Sequence, residues 1–390
     1  MSNSHPDKKK KIDLKLGGED FYLRKISQRK ISQMKNPFKF GTVVEDEYFT
    51  DRKEELQYVK QVMSSENHLI LISPRRFGKT SLVLKAVKLL ARPYIMLNLQ
   101  NVTSSEDLAA RLLQAVFKLY PWERMKHLMT HFRIIPTLST NPLGDNIEVS
   151  FQPSVNSAIL LEDAFQLLEN VSQEQKRLIV IFDEFQEVQA IGKGLDRQLR
   201  SIIQLQKEVN YIFLGSQESM MQEIFEKKKS PFYHFGILMR LKKIPYDDFF
   251  KYIAYRMATG TKSRDEEVAQ NILQFTRCHP YYTQQLAYQA WEEVNYTNND
   301  GEIVQTAIGK LLRMHDFDYE RLWINFNRTD KRILQELCKT GAVSPLKNKD
   351  LPTSTIFSAL KRLMKIGYVT KEEDYEVEDP FFQLWIRNQG

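Results

Sequence analysis

The sequence predicts an α/β protein with a parallel β-sheet, and three observations lead there. Short apolar runs recur at 68–72, 94–99, 178–182, 211–215 and 237–241. Helical patterns separate most of them, and buried strands alternating with helices form parallel sheets. A loop ending in Gly78-Lys79-Thr80 follows the first run, and Asp183-Glu184 closes the third.

At 390 residues the chain exceeds one comfortable core, so two or three domains are expected. Residues 1–36 form a basic tail with ten Lys/Arg and four Asp/Glu, and so hold +6 of the net charge of +7. The tetrad Lys-Ile-Ser-Gln occurs there twice, five residues apart, which suits neither helix nor strand. The tail is open to two readings: a solvated leader, or an arm that binds nucleic acid or a partner. The sheet and its helices occupy 37–243. One helix is opened by a Ser-x-x-Asp cap at Ser104–Asp107. A β-hairpin insert is expected at about 134–153, where turn signals separate short alternating segments. Residues 244–320 are helical throughout. Residues 321–390 give helix, turn, helix and then a hairpin, with the last helix at Thr353–Ile366.

The apolar and charged fractions are those of an ordinary soluble protein. No apolar run approaches the ~18 residues of a membrane span, and the N-terminus lacks a signal-peptide core. A cytoplasmic protein without membrane contact is expected. Its two cysteines, Cys278 and Cys338, suit a reducing compartment, and no Cys-x-x-Cys pair suggests zinc.

The stretch "SPRRFGKTS" at 73–81 is nearly the phosphate-binding loop G-x-x-x-x-G-K-[ST], with Ser73 in place of the first glycine. Such a loop works because backbone N–H groups and a helix N-terminus face the phosphates. Ser73, Pro74, Arg75, Arg76, Phe77, Gly78, Lys79, Thr80 and Ser81 form the candidate cradle. Lys79 is expected at the β- and γ-phosphates and Thr80 on Mg²⁺. A serine at position 73 costs about 1 kcal/mol if its φ is positive and little otherwise. The second element is "LIVIFDEFQEV" at 178–188. Asp183 at the strand tip is expected to hold the Mg²⁺ shell and Glu184 to polarise the attacking water. The run at 94–99 lies between the two motifs and suggests that another strand separates their strands in the sheet. With no base-reading Asn-Lys-x-Asp present, ATP is expected, not GTP.

These residues resemble the archaeal-type P-loop ATPases, at the border of the AAA+ and STAND divisions. "SPRRFGKTSL" resembles their G-P-R-R-x-G-K-T-S-L loop, and "YFTDRKEELQYV" (48–59) their F-x-x-R-x-x-E-L segment. "FLGSQESMM" (213–221) is similar to their G-S-x-x-S-M strand end. "RCHPYYTQQLA" (277–287) is similar to the G-x-P segment of their helical lid, and "DPFFQLWIR" (379–387) to the close of their chains. The resemblance implies a nucleotide core, a helical lid and a C-terminal winged helix. It implies Phe49 and Arg52 near the base, Ser216 as γ-phosphate sensor and Pro280 beside the nucleotide. Cys278 stands where the lid glycine is expected. The arginine that commonly follows Ser-Pro-Phe is missing from "SPFYHFG", so Arg240 is the candidate for charge neutralisation in trans or in cis, and Arg75 and Arg76 either substitute for it or make surface salt bridges.

Other patterns are read as structural. His127 and His131 stand four apart without the following glutamate of a zinc protease. Phe232, Tyr233 and Phe235 are expected to pack, and Tyr281 and Tyr282 either pack under the lid or face the nucleotide. In the winged helix, Ile356, Phe357, Leu360, Leu363 and Met364 make the expected buried stripe. Ser354, Ser358, Lys361, Arg362 and Lys365 are left for solvent or phosphate, and Ser358, Lys361, Arg362 and Lys365 are the candidate DNA contacts. The wing, with six acidic residues against one lysine, repels phosphate. The expected function is an ATP-driven switch that cycles between ATP and ADP and regulates assembly on DNA as a nucleotide-dependent homo-oligomer. The alternative is a STAND-type signalling ATPase whose winged helix binds protein partners.

Overall fold

The computed structural model describes residues 35–44, 48–50, 52–121, 125, 127–133, 137–140, 147–150, 156–258, 265–296, 302–340, 351–371 and 374–389. The expectations for the tail concern residues that lie, up to 34, outside this set.

Five strands form one parallel sheet: β1 (Leu69–Ile72), β2 (Tyr94–Asn98), β5 (Ile179–Asp183), β6 (Asn210–Gly215) and β7 (Ile237–Arg240). Their order is β2-β5-β6-β1-β7. A strand does separate the loop strand β1 from the Asp-Glu strand β5, but it is β6. β2 lies at the sheet edge, beyond β5.

Alternate residues of these strands enter opposite cores, because side chains of a strand alternate between its faces. Leu69, Leu71, Ile179, Ile181, Ile212 and Leu214 pack on one face, beneath α1 (Lys53–Met63) and α2 (Lys79–Leu90). Ile70, Ile72, Val180, Phe182, Tyr211 and Phe213 pack on the other. There they meet α3 (Ser105–Leu119) and α4 (Ser157–Glu174). Phe213, fully buried, sits among Phe182, Phe185, Phe225 and Phe232, so Phe213→Ala is a change of about 3–5 kcal/mol. This is the packing expected for Phe232. The cap on α3 forms as the sequence suggests, with Asp107 N donating to Ser104 Oγ at 3.2 Å. The insert contains an antiparallel hairpin, β3 (Thr137–Thr140) with β4 (Ile147–Ser150), and Val149 is buried in the second core.

The rest of this layer is short. A 3-10 turn follows β5, then come α5 (Val188–Ile191), α6 (Leu195–Ile203) and, after β6, α7 (Glu218–Phe225). His127 and His131 do not share an α-helix: His127 precedes a 3-10 turn at Leu128–His131, and its ring pairs with Glu174 at 3.1 Å.

Beyond β7 the chain is helical: α8 (Tyr246–Met257), α9 (Asp265–Thr276), α10 (Pro280–Tyr296) and α11 (Ile303–Asn325). Then follow α12 (Arg328–Thr340), α13 (Thr353–Lys365), the antiparallel pair β8 (Val369–Lys371) and β9 (Tyr375–Val377), and α14 (Pro380–Gln389). All of them share a third core, which also takes in Phe38. α11 runs unbroken across position 320, where the sequence suggested a boundary. On α13 the buried stripe is Ile356, Ala359, Leu360 and Leu363, with Met364 partly buried. Phe357 is 47% exposed, contrary to expectation, because position 359 takes the inward place.

Candidate nucleotide-binding site

The loop between β1 and α2 is fixed at both ends. Ser73 is fully buried, and its N donates to Gly215 O at 3.3 Å. Its φ is not positive, so the absent glycine carries no strain there. The left-handed positions are Arg76 (φ 64°) and Gly78 (φ 86°). Gly78 is also the N-cap residue of α2, whose free N–H groups open into the cavity described below.

Lys79 is 6% exposed, and its Nζ donates to Ser73 O and Pro74 O at 3.3 Å each. Burial lowers its pKa, while Glu184 and Asp183 oppose that. Thr80 Oγ1 donates to Asp183 Oδ2 at 3.2 Å. Burial and then the neighbouring Glu184 raise the Asp183 pKa, and Lys79 and the Thr80 bond pull it down. A hydroxyl and a carboxylate at this separation are the hard oxygen donors that suit Mg²⁺ beside phosphates. Among the described residues there is no cluster of three or more His, Cys, Asp or Glu, so phosphate and water would supply the other ligands.

Glu184 adopts the left-handed conformation (φ 52°), with its N donating to Asp183 Oδ1 at 3.0 Å. Its Oε2 accepts from Ser216 Oγ at 2.6 Å and from Gln186 Nε2 at 2.5 Å. Ser216, at the end of β6, and Glu184 therefore form one hydrogen-bonded unit. Gln186 was missed from the sequence, because a glutamine two residues beyond the motif carries no pattern of its own.

Part of this set borders a cavity of about 530 Å³, whose lining does not include Ser73, Pro74, Gln186 or Ser216. Gly78, Lys79, Thr80, Ser81, Asp183 and Glu184 line one part. Phe49, Thr50, Ile244, Pro280, Tyr281 and Gln284 line another, with residues 39–44. The segment 39–44 was not foreseen. It is held over the cavity by backbone and ring contacts that leave no spacing signal. Val44 N donates to Ser81 Oγ at 3.0 Å, and Phe40 packs edge-on against Tyr281 and Tyr288. Asn36 Nδ2 anchors its start by donating to Tyr288 O and Glu292 Oε1.

Several expected residues are placed differently from the sequence reading. Arg52 lines the cavity but is 5% exposed, and its guanidinium donates to Phe77 O at 3.2 Å, Lys242 O at 3.0 Å and Glu55 at 2.9 Å. It ties the loop to the chain beyond β7. Arg76 turns to the helical layer: Nη1 donates to Tyr282 Oη at 3.2 Å, and the guanidinium lies 4.5 Å from the centre of the Tyr281 ring. Arg75 borders the cavity, and so does Phe77, whose ring meets His279 edge-on. The Phe49 ring carries Lys85 Nζ at 4.3 Å. Arg240 does not border the cavity; it pairs with Glu226 at the surface, so a place beside the phosphates of its own chain is corrected, while a role in trans is untouched. Cys278 has φ 58°, the conformation for which the resembling sequences carry glycine.

The candidate DNA contacts divide. Ser358 is exposed. Arg362 is exposed, as expected, but pairs with Asp330 through two bonds of 3.0 and 2.5 Å. Lys361 and Lys365 face a cleft of about 590 Å³, whose opposite wall includes Pro74, Arg75, Ser216 and Glu218.

Comparison with known proteins follows the same lines. The model of a family described as an ATPase domain predominantly from Archaea matches residues 49–286, more than half of the chain. No curated protein matches. Among solved structures, a Walker-type ATPase of Pyrococcus abyssi is similar with a TM-score of 0.63 at 17% identity, covering 88% of this chain and 97% of that one. The ORC2 protein of Aeropyrum pernix, in its ADPNP–ADP complexes, gives a TM-score of 0.52 at 13% identity over 90% and 98% of the two chains. The ORC1 protein of the same organism, solved with DNA, gives 0.50 at 12% identity over 91% and 98%. At these identities the likeness is one of fold. Among the described residues no helix is long and apolar enough to cross a membrane. With its phosphate loop, Asp-Glu strand and matching family model, the chain belongs to the family of ATPase domains found predominantly in Archaea and is a P-loop ATPase.

Proposed function

We propose that the protein is an ATP-driven switch whose output is regulated assembly on DNA. The observation that carries this reading is the cleft between the phosphate loop and α13. One wall holds Pro74, Arg75 and Ser216, which neighbour the γ-phosphate end of the site. The other holds Lys361 and Lys365 of α13 and Lys371 of β8. A change at the γ-phosphate therefore acts beside the basic side of the C-terminal unit, which we read as a winged helix.

In this reading Lys79 leaves the carbonyls of Ser73 and Pro74 to meet the β- and γ-phosphates, with the loop N–H groups around them. Thr80 and Asp183 would hold Mg²⁺, which when bound would neutralise phosphate charge. Glu184 takes the proton of the attacking water, oriented by Ser216 and Gln186. Ser216, bonded to Glu184, reports whether the γ-phosphate is present. Phe49 and Pro280 flank the base. With Arg240 in its surface pair, and with Arg52 and Arg76 bonded to Phe77, Lys242 and Tyr282, Arg75 is the remaining cavity arginine for charge neutralisation. Basal hydrolysis is therefore slow, and a second copy or a partner is expected to raise it. The ORC1 relative, solved with DNA, supports the choice of partner.

A signalling role with a protein partner is the second reading. It is favoured by the Arg362–Asp330 pair, which occupies one of the candidate DNA contacts, and by the acidic hairpin. Salt-dependent binding of random duplex DNA, measured with ATP and with ADP, separates the two. A steep salt slope that differs between nucleotides supports the switch on DNA. No binding in either state removes DNA as the output.

A further inference from the structure

We infer that Gln284 selects adenine over other purines by accepting a hydrogen bond from the 6-amino group. The inference rests on the nucleotide reading of the cavity and adds which base it takes.

Gln284 lies in the first turns of α10, is 5% exposed and lines the cavity. Its Nε2 donates to Thr50 Oγ1 at 3.1 Å and to Tyr252 Oη at 3.2 Å. Its Oε1 is buried and has no hydrogen-bond partner. The orientation of the amide follows from its neighbours. Tyr252 Oη donates its proton to Tyr48 O at 3.2 Å. What it offers Gln284 is therefore a lone pair, which only the NH₂ end can use. Oε1 is thus left as the acceptor in need of a donor. Buried acceptors without partners are rare in folded proteins, and each needs an explanation.

The cavity supplies one. Phosphates belong at the loop and the N-terminus of α2, so the base belongs at the part lined by Phe49, Thr50, Ile244, Pro280, Tyr281 and Gln284. Phe49, Ile244 and Pro280 offer apolar surface to the faces of a ring. Of the side chains on this part, Gln284 holds the unpaired polar atom. Adenine carries an amino group at position 6, a donor. Guanine and hypoxanthine carry an oxo group there, whose lone pairs would face those of Oε1. Sites built to bond one polar group reject analogues that lack it, because their own buried group stays unpaired. Tyr252 holds the amide so that it cannot turn its NH₂ end to an oxo group without losing the bond to Tyr252 Oη, whose proton is committed to Tyr48 O.

The test compares binding of ATP, inosine triphosphate and the triphosphate of unsubstituted purine riboside to the full chain by competition with a fluorescent ATP analogue. Inosine triphosphate changes the 6-amino to oxo, and the purine analogue removes it. Wild type should bind ATP about tenfold or more tighter than either. Gln284→Met, which keeps length and removes the acceptor, should bring the three affinities within about twofold. Equal binding of ATP and inosine triphosphate by wild type overturns the inference while leaving nucleotide binding intact, and needs no variant to fold. Retention of the preference in a folded Gln284→Met protein overturns it as well. Failure of wild type to bind any of the three, with Lys79→Ala indistinguishable from it, overturns the nucleotide reading itself and this inference with it.

Discussion

Replacing Glu184 by glutamine should abolish most turnover while leaving ATP binding in place, and the hydrogen bonds around Glu184 give the reason. One carboxylate oxygen, Oε2, accepts both from Ser216 Oγ at 2.6 Å and from Gln186 Nε2 at 2.5 Å. The amide oxygen of a glutamine can take that same place and accept both bonds. Its NH₂ then occupies the position of Oε1. Shape and orientation are kept, and what disappears is the ability to take a proton from water. General-base catalysis contributes about 10²–10⁴ in rate, or about 2.7–5.5 kcal/mol of barrier, so at least a tenfold fall is a conservative expectation. Lys79, Thr80 and Asp183 are untouched, so affinity for ATP should change less than about threefold. Steady-state phosphate release and fluorescent-nucleotide titration on the same preparation measure the two quantities. A Glu184→Gln protein with wild-type turnover refutes the assignment of the base. Ser216→Ala removes one of the two orienting bonds and should give a smaller loss of rate, with binding again retained.

Lys79→Ala should remove ATP binding, since no neighbouring ammonium replaces it, whereas Ser73→Gly should leave affinity equal or better; equilibrium titration checks both. Stability should fall as the pH drops below about 6.5, because burial, with Arg177 and Arg200, pushes the His68 pKa down to about 4. The neutral ring is the folded form, so its stabilisation is complete above the unfolded pKa and is lost as pH falls towards the folded one. At about pH 5 the loss is about 2 kcal/mol, and chemical denaturation of wild type and His68→Asn should show it as a difference in pH slope. Deleting residues 1–34 should flatten the salt dependence of DNA binding by about 0.9 for each phosphate that the tail no longer neutralises, and more than Lys361→Ala with Lys365→Ala; an unchanged slope assigns the tail another role.

The parts of the site legible in the sequence are those whose chemistry is local. Gly78-Lys79-Thr80 and Asp183-Glu184 each sit at the end of an apolar run, and backbone geometry alone delivers them to one edge of the sheet. The contacts that escaped notice act across long separations. Asn36 meets Glu292, Arg52 meets Lys242, and Gln284 meets Thr50, and no periodicity marks such pairs. Arg362 shows the same limit in reverse. Its place on the outer face of α13 was readable, but Asp330, 32 residues earlier, decides what its charge does. The sheet order failed in one detail for a related reason. Sequence order shows that a strand intervenes, and only pairing energies decide that β6, buried on both faces, takes the centre.

The cores also fix where nucleotide-linked motion can occur. Leu241 belongs to the core shared by the sheet and α2, while Ile244 belongs to that of the helical layer. The chain thus passes from one body to the other within residues 242–244. Beyond that point α11 is continuous, and among the described residues a single core joins α8 through α14. Phe38 lies in that same core, so the segment over the cavity starts in the helical body and reaches the sheet body at Ser81. The cavity is lined from both bodies: Lys79, Thr80 and Asp183 from one, Ile244, Pro280 and Gln284 from the other. A bound nucleotide touches both and favours the arrangement in which both sets of contacts are made. Lys361 and Lys365 ride on the helical body and face Arg75 and Ser216 across the second cleft. Closure of the first cavity about the two crossings, 39–44 and 242–244, is therefore expected to change the width of that cleft, because two rigid bodies that meet at both interfaces cannot move at one alone.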